Sequence, residues 1–148
     1  MHPYQDQINK LWEVIKLRNR AAKGEFWIEA IALTYVVFEV HLRLLLTSGA
    51  GEAGIPLSPS EIDKKEYLRN LANLALDKNF INSDLNDKIL TFNRDRNKMI
   101  HHFIQGKIQY SELKNTYETT SATIGEIQSQ WLKITVGPLQ RLEDYKQG

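Results

Sequence analysis

The sequence predicts an all-α fold: an antiparallel helical bundle of four main helices plus a shorter one. Three observations predict it. Apolar residues recur three and four apart along most of the chain, the period of a helix face. No stretch sustains alternating apolar and polar residues between hairpin turn signals. Glycines, prolines and polar cap residues separate the periodic segments. At 148 residues, the chain (1–148) reads as one domain, long enough for a real core.

The first helix is expected from about Gln5 to Lys23, with Ile8, Leu11, Trp12 and Ile15 on one face and Gly24 ending it. The second, about Glu25 to Ser48, is apolar nearly all round, as suits the centre of a bundle or an oligomer interface. Gly49 to Pro59 reads as a connecting loop. Its glycines are not followed by Lys-Ser or Lys-Thr and are preceded by a helix, so it lacks the setting of a phosphate cradle. Ser60 is the expected N-cap of a third helix, with Asp63 completing a capping-box-like pair and Tyr67, Leu68, Leu71, Leu74 and Ala75 facing inward. Ser83 is expected to cap the fourth, whose first turn carries Asp84 and Asp87. Gly106 stops it. Ser111 then caps a long fifth helix with a seam of Leu113, Tyr117, Thr120, Ile124, Ile127, Trp131 and Ile134, broken at Gly137-Pro138.

Composition narrows the function classes. The chain is 42% hydrophobic and 25% charged, ordinary for a globular protein. A net charge of +1 gives no global pull toward nucleic acid or membrane, so any polyanion binding has to be local. With no cysteine, disulfides, thiolate zinc sites and thiol catalysis are excluded, which fits the expected cytoplasmic location. The N-terminus lacks the order of a signal peptide. The longest apolar run, Ala30 to Phe38, is too short to span a bilayer and is followed by Glu39, His41 and Arg43, so no membrane association is expected. No His-x3-His or acidic cluster has ligand spacing. Neither metal nor cofactor is expected.

The most informative stretch is Asp84 to Gln105. Leu85, Ile89, Phe92, Met99, Ile100 and Phe103 form an apolar stripe, and all point within roughly 60° of Arg96. A guanidinium inside such a stripe is costly to bury unless it is paired or faces a functional cleft. Five residues later comes His101, and then His102.

The run Arg96-Asn97-Lys98-Met99-Ile100-His101, late in a small all-helical chain, resembles the signature of the HEPN superfamily. Gly106 soon after the histidine and the Ser111-Glu112-Leu113 start of the last long helix resemble it too. The resemblance implies a metal-independent endoribonuclease of a toxin–antitoxin, abortive-infection or other anti-phage defence system. It implies a homodimer through the Arg96-bearing helix, with two Arg/His motifs facing one cleft. Arg96 would hold the scissile phosphate of RNA, His101 would move protons, and Asn97, one turn before His101, would orient the imidazole or donate to the phosphate. His102 and Lys98 are the expected flanking phosphate contacts, and Glu39 the carboxylate beside Arg96. An antitoxin or nucleotidyltransferase is the further partner implied. In some HEPN toxins a tyrosine two residues after the histidine is adenylylated. Here that position is Phe103, which has no hydroxyl to accept the group.

Helix geometry adds that Arg96 and His101 lie roughly 140° apart around the axis, so one chain places them awkwardly around a single phosphate. Other readings stand beside the nuclease. Arg96 pairs with Glu39 as a structural ion pair, and Arg94, Lys98, His101, His102 and Lys107 are simply cations favoured near a helix C-terminus. The chain is then a non-catalytic protein- or nucleotide-binding companion of a nucleotidyltransferase, or a dimerisation domain. Trp12, Trp27 and Trp131 are expected in the core.

Overall fold

The computed structural model describes residues 5–53, 57, 59–63 and 67–134. The fold is all-α, and the described residues contain no strand. Helix α1 spans Gln5–Lys23, α2 Trp27–Ala53, α3 Pro59–Asp63, α4 Leu68–Asp77, α5 Ser83–Ile104 and α6 Leu113–Ile134. A single 3-10 turn, Tyr110–Glu112, leads into α6.

α1 has the bounds its periodicity predicts. α2 begins later than expected because Glu25 adopts φ 60, a left-handed conformation no helix can include. The Phe26 amide donates to the Ala21 carbonyl at 2.9 Å and reverses the chain. α2 also runs past Ser48 to Ala53, through Gly49 and Gly51, where expectation put a loop. The expected third helix is instead two. α3 is a single turn, and α4 starts only after Tyr67, whose extended backbone (φ −108, ψ 143) interrupts helical geometry. Tyr67 is therefore exposed and not on an inner face.

Asn82, not Ser83, caps α5: its side-chain oxygen accepts the Leu85 amide at 2.8 Å. Gly106 takes φ +74 just beyond the helix end, where an αL residue is needed. The Gln109–Glu112 capping box opens the 3-10 turn ahead of α6, with the Glu112 carboxylate accepting the Gln109 amide, and Ser111 lies inside that turn and is not a cap. The expected break at Gly137-Pro138 lies outside the described residues.

α2 is the hub. It packs on α1, α4, α5 and α6, while α5 packs on α4 and α6. Ile31, Phe38, Leu42 and Leu45 of α2 are sealed, and Phe38 meets Phe92 of α5 edge-on at 5.0 Å. Burial of apolar side chains at about 1.5–3 kcal/mol each drives this assembly. Trp27 is buried and Trp12 half-buried against the core. The Trp131 side chain is outside the description.

Polar residues also enter the centre of α2. Thr34, His41 and Ser48 recur every seven positions and are buried. Each bonds the carbonyl one turn back: Thr34 to Ala30 at 2.8 Å, His41 Nδ1 to Val37 at 3.1 Å, Ser48 to Leu44 at 2.6 Å. That answers most of their desolvation cost locally. By length and composition Trp27–Gly49 is apolar enough to cross a membrane, contrary to expectation; as folded here 56% of that segment is buried inside the molecule, as in a core helix.

Candidate functional site

α5 divides into two halves. In the first, Leu85 and Ile89 are sealed in the core and Phe92 is buried with an edge left exposed. From Arg96 onward the same stripe loses its cover: Met99, Ile100 and Phe103 are half-buried and Ile104 is 72% exposed. The charges change as well. The first half carries Asp84 and Asp87 with Lys88, the second Arg94, Arg96, Lys98, His101 and His102 with Asp95, so the net order suits the helix dipole.

Arg96 sits at this boundary, half-buried. Its guanidinium carbon lies 4.1 Å from the centre of the Tyr35 ring of α2. This is close enough for a cation–π contact of about 0.5–2 kcal/mol. Tyr35 is itself held, its hydroxyl accepting the Leu68 amide of α4 at 3.3 Å. Arg96 Nε is sealed from solvent and has no hydrogen-bond partner among the described residues.

The expected Glu39–Arg96 pair does not form. Glu39 accepts instead from Arg43 one turn on, at 3.0 and 3.3 Å, and Arg43 also reaches the Ile62 carbonyl at 3.3 Å. Local i,i+4 pairing on α2 wins because it needs no second helix to bring the partner in. Glu39 is therefore committed elsewhere and is not beside Arg96. No carboxylate among the described residues reaches Arg96.

Asn97, Lys98 and His101 are exposed and His102 is half-buried. No hydrogen bond joins the side chains of these four. Arg96 turns toward α2 and His101 toward solvent, as the roughly 140° between their directions requires. His102 falls on the side of α5 nearer α6, so it and His101 face different surroundings. Among the described residues no group of three His, Cys, Asp or Glu is placed to hold a metal ion.

Two basic groups that sequence reading passed over are buried elsewhere. Arg18 of α1 is only 6% exposed. Its Nε donates to Thr34 Oγ1 at 2.6 Å, and Nη2 reaches Thr120 Oγ1 at 3.3 Å, Ser121 Oγ at 3.4 Å and the Tyr117 carbonyl at 3.5 Å. The guanidinium also stacks 4.1 Å from the Tyr117 ring centre. Burial lowers its pKa, and Tyr117 opposes that shift. The signal was present: Arg18 continues the Leu11–Ile15 stripe of α1 just as Arg96 continues that of α5. The second is His41. Burial holds its pKa down at about 4, so it stays neutral, with Nε2 sealed and unpartnered.

Compared with known proteins, the chain matches no family model, no curated protein and no solved structure.

Proposed function

We propose that the chain is a metal-independent endoribonuclease of the HEPN type, acting as a homodimer through the exposed half of α5 in a toxin–antitoxin, abortive-infection or other defence system. One observation carries this reading. Arg96 is a half-buried cation, pre-oriented on Tyr35, that no carboxylate within the described chain neutralises. Its Nε is sealed, but no described residue takes its terminal Nη groups, and these can meet the non-bridging oxygens of a phosphate diester from outside.

The chemistry needs two imidazoles. One His101 takes the proton of the ribose 2′-hydroxyl, and the 2′-oxygen attacks phosphorus. The bond to the 5′-oxygen breaks, and the second subunit's His101 gives that oxygen a proton. The products are a 2′,3′-cyclic phosphate and a 5′-hydroxyl. Arg96 stabilises the charge that grows on the non-bridging oxygens. In this reading Asn97, one turn before His101, orients the imidazole or donates to the phosphate, and Lys98 contacts the flanking phosphate. Packing two copies through the uncovered apolar residues of α5 would bring both pairs to one cleft and cover Met99, Ile100 and Ile104.

A second reading has its own support. His101 makes no hydrogen bond among the described residues, so none of them orients the ring. This favours a non-catalytic helical module that binds a partner protein or nucleotide.

The deciding experiment incubates RNA in EDTA with the wild type, Arg96→Ala and His101→Ala. Cleavage by the wild type to cyclic-phosphate ends, lost in both variants, is the expected result. Absence of cleavage by a wild-type dimer leaves the binding module as the reading; equal cleavage by all three assigns the activity to another source.

A further inference from the structure

The seam between α5 and α6 opposite His101 is not closed. It is a groove of about 340 Å³, with Phe92 at its floor, 5% exposed. Phe92 and His101 point to opposite sides of α5, so the groove and the proposed catalytic face are separate surfaces. The seam stays open because α6 presents Thr116, Thr119, Thr123 and Ala122 there instead of long apolar side chains. Threonine is a poor helix former, so helix propensity gives no reason for this concentration.

The rim is acidic. Asp84, Asp87 and Asp95 come from α5 and Glu126 from α6, against the one ammonium of Lys88. Lys88 is already used: it bonds Glu126 at 2.7 Å and Asp84 at 3.2 Å, and both contacts raise its pKa. Asp87 has no partner among the described residues, and Asp95 has only a contact of 3.5 Å with its neighbour Arg94. A second, independent feature lies on the wall. Thr123 is 7% exposed, lines the groove, and its hydroxyl bonds nothing within the described chain.

We propose that this groove docks a lysine- or arginine-bearing segment of a partner protein. The carboxylates supply charge complementarity. Phe92 and the threonine methyl groups suit the apolar stems of such side chains, and Thr123 offers a hydrogen bond to the segment. Asp84 and Asp95 lie about 16 Å apart along α5, the span of about five extended residues. The same carboxylates repel phosphate, so RNA belongs on the other face. The proposal does not depend on catalysis.

The test titrates the full chain, labelled at threonine methyl groups, with a synthetic peptide of about ten alternating lysines and alanines, and with its glutamate counterpart, in about 0.05 M salt. Saturable shifts confined to Thr91, Thr116, Thr119 and Thr123, seen only with the lysine peptide, are expected. Asp87→Asn with Asp95→Asn weakens binding about tenfold, whereas Lys88→Met, which frees Asp84 and Glu126, tightens it about threefold. Lys10→Ala, on α1 and away from the groove, leaves it unchanged. Shifts spread over the whole surface, equal binding by the double asparagine variant, or weaker binding by Lys88→Met would overturn the proposal. So would competition for the same methyl groups by single-stranded RNA or by magnesium alone.

Discussion

Arg18 and Arg96 are the same chemical group in the same sequence setting, a cation continuing an apolar helical stripe, and each stacks on a tyrosine at 4.1 Å. They differ in what surrounds the rest of the guanidinium. Arg18 is wrapped: the Thr34, Thr120 and Ser121 hydroxyls and the Tyr117 carbonyl take its N–H groups from three sides. Arg96 is held on one side only, and its Nε is left without a partner. With Nε and Nη2 bonded inside the chain and only 6% of the residue exposed, Arg18 presents little to a ligand. The half-held Arg96 is oriented by the ring, and although its Nε is sealed, its Nη groups are taken by no described residue. His41 is the third solution to a base in the core, since a histidine can shed its charge and an arginine cannot.

The comparison breaks first on activity. His101→Ala is expected to lower RNA cleavage about 10²–10⁴-fold and Arg96→Ala about 10²–10³-fold, whereas Arg18→Met leaves the rate per folded molecule unchanged. Cleavage kinetics in EDTA read all three, and a loss with Arg18→Met as large as with Arg96→Ala would erase the distinction.

It sharpens next on pH. The folded pKa of His41, about 4, lies below its ordinary value of 6.5. Above pH 6.5 the ring is neutral in both states. Between 6.5 and about 4 only the unfolded chain takes up the proton, so stability falls as the pH drops and levels off below. The loss attributable to this residue is about 3 kcal/mol. Denaturant unfolding at pH 7 and pH 4 measures it, and His41→Leu should flatten that part of the profile.

Truncation of Arg18 comes third. Arg18→Ala removes the stack and leaves a cavity, a cost of about 2–4 kcal/mol. Arg18→Met should cost far less, because Thr34 and Thr120 also bond the carbonyls of Ala30 and Tyr117 and a buried charge disappears. Chemical denaturation of the two variants separates charge from packing. The smallest effect is at Tyr35. Tyr35→Leu should cost about 1 kcal/mol of stability but raise KM for RNA more than it lowers kcat, since Arg96 loses its platform and not its charge.

Much of this was legible in the sequence. The bounds of α1, the apolar α2, the stripe of α5 and the stop at Gly106 follow from spacing and residue type. The start of α4 after Tyr67 was not legible, because Tyr67 lies in register with the apolar positions that follow and yet its backbone is extended. Nor was the fate of Glu39, for which the sequence offered Arg43 and Arg96 and which pairs with Arg43 on its own helix.

What the sequence alone determined is where each side chain sits around its own helix axis, and so that Arg18 and Arg96 both face inward. What only the tertiary structure decided is what meets them there: three hydroxyls for one, a single ring for the other. It likewise decided that the threonines of α6 oppose the acids of α5 and leave a groove between them. The reason is geometric. Periodicity is a property of one helix, but neutralising a buried charge takes partners from several, and their arrival depends on how the helices pack.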